Sequence, residues 1–134
     1  MKILLMVIFP TILYTQNHKL SDLFERSTTN IASCDSLIQF CLNEKTPQQI
    51  AYLGAGFMLK SRHSRKLKHF KEGKRILEEI IKKYPSFVEL RWIRYCIQMN
   101  SPKILNYKQN IENDKSIIET SGSKYQKKII ELYE

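Results

Sequence analysis

The chain is predicted to fold as an all-α single domain of about seven helices in antiparallel hairpins, and three observations predict it. Apolar residues recur at helical spacing along almost the whole sequence; no stretch alternates with period two for long enough to suggest a sheet; and prolines, capping residues and a Ser-Gly-Ser turn divide the chain at helix-length intervals.

The opening segment, MKILLMVIFPTILYTQ, stands apart from this pattern. One cation, Lys2, precedes an apolar run from Ile3 to Tyr14 broken only by Pro10 and Thr11, and the next charge is Lys19. A run of about a dozen residues suits the apolar region of a secretory signal, whereas a membrane span needs roughly 20. Residues 1–16 are therefore expected to be a cleaved signal peptide, with cleavage near Thr15 or Gln16, and residues 17–134 to form one domain of ordinary size. The alternatives are a retained anchor or an N-terminal core helix; Pro10 and the missing periodicity speak against the core helix. No cysteine closes the apolar run, which argues against a lipoprotein anchor. The expected location is the periplasm or cell envelope.

Leu20, Leu23 and Phe24 suggest a short first helix. Ile31, Cys34, Ile38 and Cys41 mark the buried face of a second, widened by Leu37 and Phe40. Thr46-Pro47-Gln48-Gln49 then reads as a capping box with proline at the first helical position. The helix it opens is apolar nearly all round, with Gln49, Gly56 and Lys60 on the remaining strip, and such a helix lies between neighbours. Gly54 and Gly56 in AYLGAGFMLK are packing residues: no strand precedes them, Leu59 stands where a dinucleotide loop needs a third glycine, and no Gly-Lys-Ser/Thr follows.

A fourth helix runs from about Leu67 to Tyr84, with Phe70, Gly73, Leu77, Ile80 and Ile81 on the same face as both ends, and Pro85 stops it. Ser86 and Glu89 are expected to form a second capping box for a largely buried fifth helix containing Leu90, Trp92, Ile93, Tyr95, Cys96, Ile97 and Met99. After Asn100-Ser101-Pro102, Ile104, Tyr107, Ile111 and Ile118 are expected to line a sixth. A last helix, capped by Ser123 with Gln126, is expected to face inward along Tyr125, Ile129, Leu132 and Tyr133.

Helix pairs with small residues at close contacts and a closing proline describe an α-solenoid. Residues 50–85 resemble one tetratricopeptide unit, with Leu53-Gly54 as its Leu-Gly pair, Phe57 as its aromatic, Gly73 as the small residue of the second helix, Leu77 and Ile80 at the family's spacing, and Pro85 as the closing proline. The stretch departs from the unit by seven extra residues, roughly Ser61 to Leu67, between the two helices. The region from Ala51 to Ile118 also resembles a small family of exported bacterial proteins of tetratricopeptide-like fold. That resemblance implies location and fold and supplies no activity; tetratricopeptide-like folds imply a scaffold that binds a peptide or protein on a concave surface.

Charge singles out one stretch. The net charge is +9, and between Lys60 and Lys83 ten cations face only Glu72, Glu78 and Glu79, a local excess of seven. Arg62, Arg65, Lys66, Lys68 and Lys71 are the candidate contacts for an anionic partner. The competing expectation is a solvated helix face with Glu78 and Glu79 paired to Lys82 and Lys83. Nucleic acid is not expected as the partner, since no aromatic residue interleaves the cations from Lys60 to Lys68.

No catalytic, cofactor or metal site is expected. His63 and His69 are six residues apart, wrong for an i, i+4 ligand pair, and the carboxylates at Glu78-Glu79 and around Glu112 and Asp114 sit among polar residues. Cys34 and Cys41, seven residues apart on one helix, lie roughly 10 Å from each other, too far for a disulfide, so a bridge could run only from one of them to Cys96; the three otherwise serve as small buried hydrophobes. The expected function is a non-catalytic interaction module of the envelope binding a protein or peptide. The alternative is a peripheral binder of anionic lipid or a cell-surface polymer through residues 60–75.

Overall fold

A computed structural model describes residues 18–43 and 46–134, and the expected signal peptide lies outside the described residues. Among these, seven α-helices and no strands are found: α1 (residues 18–27), α2 (Ile31–Cys41), α3 (Pro47–Ser64), α4 (Leu67–Lys83), α5 (Val88–Asn100), α6 (Ile111–Ser121) and α7 (Lys124–Leu132). They pack around one core that takes residues from every helix.

The turn from α1 to α2 is held by Asn30, whose Oδ1 accepts from the amide of Ala32 at 2.8 Å. Cys34, Leu37, Ile38 and Cys41 are buried as expected, but Ile31 at the start of α2 is 44% exposed. Helix α3 begins with the expected capping box: Thr46 Oγ1 accepts from the Gln49 amide at 3.3 Å, and Gln49 Oε1 accepts from the Thr46 amide at 3.2 Å. Its supposedly bare strip is covered. A Cβ at Gly56 would stand 3.0 Å from Ile38 Cγ1, Gln49 is buried, and Lys60 Nζ reaches Asp35 of α2 at 2.6 Å.

On its other side α3 meets α4 backbone to backbone. A Cβ at Gly73 would come 2.3 Å from the Gly54 carbonyl oxygen, and one at Gly54 would come 2.7 Å from the Gly73 oxygen, so only glycine at both positions allows this approach. The seven residues that depart from the tetratricopeptide pattern form no loop. They prolong α3 to Ser64 and leave a two-residue turn, in which Arg65 takes a left-handed conformation, φ 55°. Tyr84, expected on the buried face of α4, lies beyond the helix and is exposed.

The expected Ser86–Glu89 capping box does not form. Helix α5 starts one residue later, with Phe87 at the cap and no side-chain hydrogen bond there. The Glu89 carboxylate instead accepts from Tyr52 Oη of α3 at 2.6 Å and from Gln126 Nε2 of α7 at 2.7 Å. Two bonds to other helices outweigh one local bond at the helix end.

The expected sixth helix is divided. A short 3₁₀ turn, Lys103–Leu105, ends in Asn106 at φ 45°, which breaks the helical path, and α6 starts only at Ile111. Tyr107 stands between the two, buried against Phe70 and donating its hydroxyl to Glu78 at 2.5 Å. Behind it lies a buried ionic junction. Arg94 of α5, 3% exposed, donates to both oxygens of the fully buried Asp114 of α6 at 2.7 Å each and to Glu78 of α4 at 2.8 Å, while Arg91 reaches Asp114 at 3.2 Å. Burial opposes the charge on Arg94, but the bonds to Asp114 and the attraction of Asp114 and Glu78 hold its guanidinium above its ordinary pKa. The expectation of solvated carboxylates around Asp114 and at Glu78 is thereby corrected.

Helix α7 carries its expected capping box, Ser123 with Gln126. Its inward face differs from the expected one: Gln126 and Ile130 are buried and Ile129 is partly so, while Tyr125, Leu132 and Tyr133 are exposed.

Candidate functional site

The cations from Lys60 to Lys83 divide into engaged and unengaged groups. Lys60 pairs with Asp35, Arg75 with Glu72 and Glu79 at 2.8 and 2.9 Å, and Lys74 sits 4.9 Å over the Tyr107 ring. Glu79 thus goes to Arg75 and Glu78 to Arg94 and Tyr107, so the pairs expected with Lys82 and Lys83 are not made. Arg62, Arg65, Lys66, Lys68 and Lys71 make no ion pair among the described residues.

All five candidates are exposed, and two of them also border concave space. Arg62, in the last turn of α3, and Arg65, at the turn, line concave space between helices. Lys66 is the N-cap of α4 without a side-chain capping bond, and with Lys68 and Lys71 it is exposed at a helix start that carries no acidic residue. Cations at the positive end of a helix dipole stand in an unfavourable field that an anion would relieve.

Two concave spaces meet at Arg62. The first, of about 430 Å³, is an aromatic groove to which α1, α3, α5 and α7 all contribute, walled by Phe24, Trp92, Cys96, Tyr125, Ile129 and Tyr133. Helices α2, α4 and α6, the second members of each pair, supply no lining residue. Glu25 accepts a short hydrogen bond from Tyr125 across the groove, and that bond, with burial, pushes the Tyr125 hydroxyl up to about 12. Trp92 stands edge-on to Tyr125 with ring centroids 6.3 Å apart. The second space, of about 260 Å³, lies between α3, α4, α5 and the 3₁₀ turn, with Met58, Phe70, Ile97 and Leu105 among its apolar lining and Arg62 and Arg65 as its cations. Leu59, Arg62, Ile97 and Asn100 border both.

Of the site residues proposed from sequence, then, Arg62 and Arg65 face concave space and Lys66, Lys68 and Lys71 do not line it. The groove aromatics were not foreseen as a site. Their signal was present as Trp92/Cys96 and Tyr125/Ile129/Tyr133 at four-residue spacing, which on one helix is indistinguishable from a core face.

Cys34, His63 and His69 are engaged by other groups of the fold. Cys34 and Cys96 are free thiols, so neither bridge to Cys96 is made, and Cys41 is buried. Burial raises the Cys34 thiol, which donates to the Ser27 carbonyl at 3.2 Å, and burial together with Glu89 and Glu25 raises the Cys96 thiol further. Cys96, expected to be buried, is half-buried at the groove wall. His63 Nε2 lies 3.0 Å from the Ser27 carbonyl oxygen and His69 stacks on Phe57. Among the described residues, no three of His, Cys, Asp or Glu gather as a metal site, and no helix is long and apolar enough to cross a membrane.

Comparison with protein-family models, curated proteins and solved structures finds no match to this chain.

Proposed function

We propose that this protein is a non-catalytic interaction module of the cell envelope, arranged like a tetratricopeptide scaffold and docking a short peptide or protein segment in the aromatic groove. The observation that carries the reading is the convergence of the first helix of each pair, and of α7, on one concave surface that contains Arg62 without an acidic partner among the described residues. Aromatic walls give contact area at low entropic cost, and with the lining carboxylate, Glu25, accepting from Tyr125, the guanidinium of Arg62, in no ion pair among the described residues, favours a segment that brings a carboxylate. The protonated thiols and the engaged histidines support a binding role over a nucleophilic one.

Trp92, the one tryptophan of the chain, forms part of the groove wall and serves as the reporter. Titration with a panel of amphipathic peptides should shift its emission saturably for acidic members, and Arg62→Gln and Tyr125→Ala should each weaken the response several-fold. A second reading, peripheral binding of anionic lipid or a cell-surface polymer, draws on Lys66, Lys68 and Lys71 standing exposed at an uncapped helix start. It predicts binding to phosphatidylglycerol vesicles that collapses with salt and with Lys66→Gln/Lys68→Gln/Lys71→Gln but persists in Arg62→Gln. That outcome, with no peptide response, would replace the groove reading.

A further inference from the structure

We propose that the smaller pocket, between α3, α4, α5 and the 3₁₀ turn, binds a medium-chain fatty acid, its carboxylate on Arg62 and Arg65 and its alkyl chain against Met58, Phe70, Ile97 and Leu105.

The chemistry of the lining selects this class. A peptide entering the pocket would bring one backbone donor and one acceptor per residue, each needing a partner once water is displaced. The walls offer few side-chain groups beyond the Ser61 hydroxyl and Asn100 Oδ1. Asn100 Nδ2 is already given to the Cys96 carbonyl at 2.8 Å and to Tyr133 Oη at 3.1 Å, and Ser101 Oγ to the Ile97 carbonyl at 2.7 Å. An alkyl chain makes no such demand. The two guanidiniums that line the pocket have no carboxylate among the described residues, and a bidentate contact with a single carboxylate head suits them.

Size and exposure agree with this choice. A space of about 260 Å³ lies just below the roughly 300–1,000 Å³ usual for small-molecule pockets, which favours one slender chain over a two-chain lipid. Leu67 is 51% and Ile104 90% exposed, and both belong to the pocket lining. A chain emerging between them would cover apolar surface that the protein itself leaves in water.

The test uses the full chain, titrated calorimetrically with sodium octanoate, sodium decanoate and decanol below their aggregation limits. The expected result is saturable one-to-one binding of decanoate, tighter than octanoate by roughly tenfold for the two extra methylenes. Arg62→Gln/Arg65→Gln should weaken decanoate at least fivefold. Ile104→Ser, at a position too exposed to disturb folding, should weaken it about threefold. Equal affinity for decanol and decanoate, unchanged affinity in the arginine variant, or no chain-length dependence would each overturn the proposal. So would binding to phosphatidylglycerol vesicles with no binding of free decanoate, which would assign the arginines to a bilayer surface. Arg62 borders both spaces, so the two readings are separated by Arg65→Gln and Ile104→Ser, which touch only the smaller pocket: each should weaken decanoate and leave the Trp92 response to peptide unchanged.

Discussion

At the scale of single residues, the same substitution should have unequal consequences at Gly73 of α4 and Gly56 of α3. At Gly73 an added methyl meets the Gly54 carbonyl and the Met58 amide, backbone atoms that cannot yield without moving the helix. Gly73→Ala should therefore cost about 2 kcal/mol or more, in spite of the roughly 1 kcal/mol that alanine gains in helix propensity. At Gly56 the nearest atom is a side-chain carbon, Cγ1 of Ile38 at 3.0 Å, with no backbone atom among the closest contacts, and Gly56→Ala should be neutral within about 1 kcal/mol. Urea unfolding followed by Trp92 emission distinguishes the two, and equal losses would refute the backbone contact. The buried junction gives a second case. Asp114→Asn removes the charge that two arginines share and leaves Arg94, 3% exposed, leaning on Glu78 alone, so a loss of about 3–5 kcal/mol is expected in the same assay. Gly73 was legible as a small packing residue from its place on an apolar face. Asp114 was not legible, because nothing in a polar stretch says which carboxylate turns inward to meet an arginine twenty positions away.

At the scale of elements, the helices themselves were written in the sequence wherever periodicity and capping agreed. Thr46 with Gln49 and Ser123 with Gln126 form the boxes their spacing implies, whereas Ser86 with Glu89 carries the same pattern and forms none. The difference is tertiary: Tyr52 and Gln126 compete for Glu89, and no local rule contains them. Thr46→Ala should lower stability by about 1 kcal/mol, and Ser86→Ala should change it by less than about 0.5 kcal/mol. Matching thermal shifts for both would contradict the observed start of α5. The divided sixth helix and the rotated face of α7 have a similar origin. Tyr107 is drawn out of helical geometry by Glu78 and Phe70, and on α7 the interior accepts Gln126, with its bond to Glu89, in preference to the larger tyrosines.

At the scale of the whole molecule, the fold class was readable while the site was readable only in part. Charge density pointed to Arg62, Arg65, Lys66, Lys68 and Lys71, but which of them face concave space depends on how α3, α4 and α5 are assembled. That assembly also sets the response to alkali. Burial, reinforced by Glu78 and Glu89, raises Tyr107 and Tyr52 well above the ordinary value of 10.0, and Glu25 with burial raises Tyr125 to about 12. A raised phenol keeps its proton in the folded state, so above pH 10 the unfolded chain releases protons that the native one retains. The stabilisation is complete below about pH 10 and is lost as pH rises through the folded values. The last part of the tyrosinate absorbance, that of the buried Tyr52 and Tyr107, should therefore rise only in step with loss of helicity above pH 10, and complete ionisation of the tyrosines with helicity intact would count against these buried contacts. The position of α3 bears on how the molecule could have been assembled or shortened. Covered by α2 along Gly56 and Lys60, by α4 along Gly54, and joined to α5 through Tyr52 and Glu89, it has no side left from which a neighbour could be taken away. A solenoid trimmed by one terminal pair ordinarily keeps its remaining repeats, yet a fragment comprising residues 46–134 should lose cooperative unfolding altogether, making this chain an indivisible unit and no array of interchangeable parts.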